Sequence, residues 1–111
     1  MGRRNYLGQF EFMTLVAMMR LQDDAYGVAI AREIETAGGR DVALASLYLT
    51  LGRLETNGLI ESRRGEPTPE RGGRAKTYFK ITAKGIREVR DARRALMALW
   101  AGVPALTGET Q

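Results

Sequence analysis

Arg71 and Arg74 bracket the pair Gly72-Gly73, and Lys76 follows two residues later. Glycine allows close backbone approach, and cationic side chains beside it match phosphate oxygens. From Ser62 to Lys80 six basic residues stand against two acidic ones, a net +4 that equals the net charge of the whole 111-residue chain. The basic excess therefore sits in one segment. A charge run is usually a solvated loop. The glycine pair between arginines points instead to phosphates or the narrow minor groove. The chain has no Cys and no His, and no paired carboxylates or phosphate-cradling loop at catalytic spacing, so neither an enzyme nor a metal or cofactor site is expected. Asp23-Asp24 reads better as a helix cap, with Asp24 at the N-cap, than as a metal site.

A second candidate set lies between Val42 and Ile60. Leu47, Leu51 and Leu54 recur at i, i+4 and i+7, one side of a helix. Asn57-Gly58 ends that helix. The opposite face carries Ala45, Ser46, Leu49, Gly52, Arg53 and Thr56. It is small, nearly neutral, and lacks the Lys and Glu fringe of a plain solvated face. Such a face suits close approach to a large surface, so the helix reads as a candidate for DNA recognition. Ser46, Thr50 and Arg53 can contact phosphates or base edges, Arg53 being the best match to guanine. Pairing with Glu55 is the ordinary alternative for Arg53. Leu49 points outward and can meet a thymine methyl. Tyr48 lies between core and groove, where a hydroxyl bond to phosphate competes with half-buried packing.

The remaining elements must hold these groups. Leu7 to Leu21 predicts a first helix apolar on two faces, Phe10, Met13, Ala17 and Leu21 on one, Phe12, Leu15, Val16 and Met19 on the other. In so small a domain one of these faces is expected to pack on the chain's own core and the other to meet a partner subunit, a core surrounding the helix being the alternative. Tyr26 to Ala37 predicts a second helix with Gly27, Ile30, Ala31, Ile34 and Ala37 on its buried side, Gly27 admitting the first helix and Gly38-Gly39 ending it. Leu59 to Arg64 and Lys76 to Ile81 read as two strands around the basic loop, a wing. Thr82 caps a last helix from Ala83 to about Gly102, before Pro104 and a polar tail. Ile86, Val89, Leu96, Trp100 and Val103 form its seam, interrupted by Arg93. With no further element to cover it, that seam is expected to find a second subunit. Folding back on the first helix is the alternative.

These readings give a mainly α fold with a small two-stranded wing: a winged helix-turn-helix DNA-binding domain over residues 1–82 and a C-terminal dimerisation helix and tail over 83–111. No stretch of 18 apolar residues suggests a membrane span, and the start lacks a signal-peptide cleavage site, so a cytoplasmic protein is the expectation.

At this point the chain resembles the PadR-like transcriptional regulators. The resemblance is carried by Asp24-Ala25-Tyr26-Gly27, by Ser46-Leu47-Tyr48 with Leu51-x-Arg53-Leu54-Glu55, and by Asn57-Gly58-Leu59-Ile60. Gly72-Gly73-Arg74-Ala75-Lys76-x-Tyr78 and Thr82-x-x-Gly85 complete it, together spanning roughly residues 7 to 100. It implies a homodimer on a pseudo-palindromic double-stranded operator, usually a repressor, joined through the last helix. For some members it also implies a small aromatic effector at the dimer interface, for which Phe10, Met13, Leu96 and Trp100 are the candidates here. Two departures stand out: Leu49 where the family often has Pro, and Ala43 where it often has a capping Ser. The alternative class is a winged-helix protein-interaction module without specific DNA binding.

Overall fold

The leucine spacing of the third helix does what its period predicts. In the computed structural model, which describes residues 7–66 and 76–107, α3 runs Leu44–Thr56, and Leu47, Leu51 and Leu54 are its buried apolar side. Ahead of it come α1 (Gln9–Leu21) and α2 (Gly27–Gly38); after it come β1 (Ile60–Arg64), β2 (Thr77–Ile81), α4 (Ala83–Trp100) and a single turn, α5 (Pro104–Thr107). The three leucines meet Leu15 and Met18 of α1, Ile30 and Ile34 of α2, and Ile60 and Phe79 of the strands in one core. Each such side chain contributes about 1.5–3 kcal/mol when fully buried.

Local chemistry fixes the ends. Gly39 takes the left-handed conformation at φ 68° and closes α2, its amide donating to the Glu35 carbonyl. Gly58, at φ 78°, turns the chain from α3 into β1. Lys84 Nζ donates to the Asn57 carbonyl at 3.0 Å, placing a cation at the negative end of α3. The strands pair antiparallel with Ile60 opposite Ile81 and Arg64 opposite Thr77. A one-residue bridge between Tyr26 and Tyr78, with the Phe79 amide on the Ala25 carbonyl at 2.8 Å, ties the sheet to the start of α2.

Several expectations are corrected. Asp24 does not cap α2: it lies in a 3-10 turn (Gln22–Asp24), and Tyr26 is the N-cap, with no side-chain acceptor. The reason is Ala25, which is fully buried and committed to the sheet, so the helix starts later. Gly27 admits not α1 but Tyr48 of α3, whose ring and hydroxyl a Cβ would overlap. Ala37 is exposed, the buried stripe of α2 ending at Ile34. On α1 the buried set is Thr14, Leu15, Ala17 and Met18, whereas Met19 is exposed. Thr14 is tolerated there because its hydroxyl donates to the Phe10 carbonyl at 2.8 Å. The segment after Pro104 begins with the turn of α5, proline standing at its first position.

Thr82 caps α4 as expected, its hydroxyl accepting the Gly85 amide at 3.0 Å and donating to the Gly58 carbonyl at 2.7 Å. Gly85 brings α4 down onto the Leu59 carbonyl and Ile81. Beyond Val89 nothing on α4 is fully buried: Leu96, Met97 and Leu99 are exposed, Leu99 at 74%.

Candidate nucleic-acid interface

With its leucines inside, α3 turns Ala45, Ser46, Leu49, Gly52, Arg53 and Thr56 outward, and all six are exposed. Leu49 is 68% exposed, far more than an aliphatic side chain with an intramolecular partner. Among the described residues no neighbouring atom lies within 4 Å of the position a Cβ on Gly52 would take, so none of them requires glycine there. Ala43 stands at the N-cap without a side-chain acceptor.

Tyr48 is 48% exposed and lies across Gly27. The first turn of α2 thus sets the angle at which its hydroxyl leaves the surface. Thr50 is the exception among the candidates. It is 3% exposed, on the core side of α3, and its hydroxyl accepts from Arg53 Nη2 at 3.3 Å. The expectation that Thr50 reaches a phosphate or base is corrected by its position, one residue before Leu51 on the buried arc. Arg53 does not pair with Glu55, which instead accepts the Ser62 hydroxyl at 2.8 Å. Its partner is Glu11 of α1, with Nε 3.6 Å from Oε2.

The base of the wing is an aromatic and cationic stack. Tyr26 and Tyr78 meet edge to face with centroids 5.6 Å apart. Lys76 Nζ lies 3.9 Å from the Tyr26 centroid, and the Arg63 guanidinium 4.8 Å from that of Tyr78. Cation–π contacts of this kind favour defined positions for long side chains. Gly65 belongs to the same cluster, since a Cβ there would fall 2.6 Å from the Tyr78 ring. Arg71 and Arg74 lie outside the described residues.

Sequence reasoning missed Glu11, Arg40 and Arg63. Glu11 is three residues after Gly8, the spacing of a capping box, and its Oε1 accepts the Gly8 amide at 2.8 Å. That signal locates the start of α1 but not the contact with α3. The Arg40 guanidinium lies 4.9 Å over the Phe10 ring, and its Nη1 donates to Met13 Sδ at 3.8 Å. A groove between α1 and α3 is lined by Phe10, Arg40, Val42, Ser46, Leu49 and Arg53 among others. Neither Leu96 nor Trp100 lines it, so the four effector-pocket candidates do not share that cavity. Phe10 and Met13 sit by the α2–α3 turn; Leu96 and Trp100 stand on the far half of α4.

A three-helix unit with an outward third helix, followed by a two-stranded wing and a helix packed beneath it, defines a winged helix-turn-helix protein. The chain belongs to the PadR-like family of transcriptional regulators, whose family model matches residues 15–91. It is a DNA-binding regulator and not an enzyme. Among solved structures it is similar to a PadR family transcriptional regulator from Eggerthella lenta (26% identity, TM-score 0.69, covering 93% of this chain and 86% of that one). It shares its fold with a PadR family regulator from Clostridium difficile (19% identity, TM-score 0.71, 91% and 100% coverage). The same holds for a PadR-like regulator from Bacillus cereus (21% identity, TM-score 0.71, 89% and 91% coverage). No curated protein matches the chain in sequence. No helix among the described residues is long and apolar enough to cross a membrane.

Proposed function

We propose that the chain acts as a homodimeric, sequence-specific repressor in the cytoplasm, residues 1–82 binding DNA and residues 83–111 joining the subunits. The observation that carries this reading is the division of α3 into a leucine side buried in the core and an opposite side that stays exposed. In the major groove that side presents Ser46, Leu49 and Arg53 to bases and phosphates, with the Tyr48 hydroxyl aimed at a phosphate. Arg71, Arg74 and Lys76 of the wing take the neighbouring backbone or minor groove. The exposed apolar half of α4 supports dimerisation, because the described residues leave Leu96 and Leu99 51% and 74% exposed. A small aromatic effector would then sit at the subunit interface, with Trp100, Leu96, Phe10 and Met13 as the residues that would hold it.

Replacing Arg71 and Arg74 together by Ala tests the wing. Binding to every duplex should weaken, and the slope of log K against log salt should fall by about 0.9 for each lost phosphate contact. An unchanged slope removes the wing from the interface. A gel shift with genomic fragments separates the repressor from the protein-interaction alternative: absence of any retarded fragment at low salt supports the latter. Quenching of Trp100 fluorescence by planar aromatic compounds tests the effector.

A further inference from the structure

Glu11 is a helix-capping residue with a second contact that capping does not require. Its Oε1 is held by the Gly8 amide at 2.8 Å, so the carboxylate is anchored by the first turn of α1. The remaining oxygen lies 3.6 Å from Arg53 Nε. On the other side, the buried hydroxyl of Thr50 accepts Arg53 Nη2 at 3.3 Å. The carboxylate, at ion-pair distance from Nε, and the hydroxyl bonded by Nη2 flank the same edge of the guanidinium and bias its orientation. Among the described residues Nη1 has no protein partner, which leaves that end of the fork for another ligand. Bidentate reading of guanine O6 and N7 requires a planar fork held in one orientation.

The pair is a poor candidate for a stabilising device, since the Arg53 side chain is 59% exposed and screened by water. DNA laid on α3 would exclude that water and strengthen the contact where it matters. We propose that Glu11 and Thr50 are positioning residues that orient Arg53 for reading a guanine, so that α1 takes part in sequence discrimination without touching a base. The inference rests on the DNA-binding reading above.

Glu11→Gln isolates the contact. Glutamine still accepts the Gly8 amide in a capping box but offers no charge to the guanidinium. Removing a carboxylate beside a polyanion would by itself tighten binding to all DNA. A positioning role predicts the opposite sign for the cognate site alone. The test uses the full chain and a duplex selected from a random DNA pool, with fluorescence anisotropy on that duplex and on versions substituted at each guanine in turn. The wild type should discriminate at one guanine by about tenfold or more, and Arg53→Ala should abolish this. Glu11→Gln and Thr50→Val should each lose most of that discrimination while binding the substituted duplex as well as, or better than, the wild type. Glu11→Gln should change discrimination no further in the Arg53→Ala background. Wild-type discrimination in Glu11→Gln overturns the proposal, as does an equal loss on both duplexes, or discrimination that survives in Arg53→Ala. If the wild type enriches no sequence at all, the DNA-binding reading itself fails and this inference falls with it.

Discussion

Tyr48 and Gly27 make one unit, although twenty residues separate them. The ring fills the space a Cβ on Gly27 would need, yet the obstructing atoms are the far end of a half-exposed side chain. Gly27→Ala should therefore cost less than about 1 kcal/mol in urea denaturation, because Tyr48 can rotate away. Binding to a selected duplex should nevertheless weaken about fivefold, the factor expected from losing one hydrogen bond, and Tyr48→Phe should match it. Wild-type affinity in Tyr48→Phe would remove the hydroxyl from the interface. Residue types alone suggested that Tyr48 was intermediate and that Arg53 was the strongest polar group. They did not reveal that Glu11 and Thr50 flank Arg53, since helix periodicity locates a face but not its neighbour across the fold. Thr50 was misread for a related reason: a threonine between two leucine positions is polar by composition and buried by angle.

At the scale of elements, period and punctuation were legible and junctions were not. Leu47, Leu51 and Leu54, the glycines at 39 and 58, and the Thr82 cap stand where spacing and turn chemistry put them. The cap of α2 was not legible, because Ala25, a residue with no propensity signal, lies between Asp24 and the helix and is committed to the Phe79 amide. Gly85 is the tightest junction. A Cβ there would overlap the Leu59 carbonyl and the Ile81 side chain at once, and the carbonyl is backbone that cannot swing aside. Gly85→Ala should destabilise the fold by about 2 kcal/mol or more, measured by thermal or urea unfolding. A wild-type midpoint would show that α4 is not seated on the sheet in this way. Ala43 works in the other direction. It is an N-cap without an acceptor, so Ala43→Ser should stabilise the protein by about 0.5–1 kcal/mol.

For the whole molecule, the distribution of apolar surface is the guide. The N-terminal half of α4 is held through Gly85 and Val89, while Leu96 and Leu99 on its C-terminal half are 51% and 74% exposed. A lone subunit would leave that surface in water, and a symmetric pair of α4 helices would cover it. Leu96→Asp with Leu99→Asp should yield monomers in sedimentation and lower operator affinity by at least tenfold, because the two half-sites are then bound independently. The proposed dimer would require the same two-fold symmetry in the DNA. Selection from a random duplex pool with the full chain therefore tests the account most directly. It predicts enrichment of an inverted repeat whose half-sites are centred about one helical turn apart, roughly 10 base pairs, or a multiple of that. Enrichment of a single unrepeated half-site would contradict the dimer, and a pool that emerges unenriched would contradict α3 as a reader of sequence.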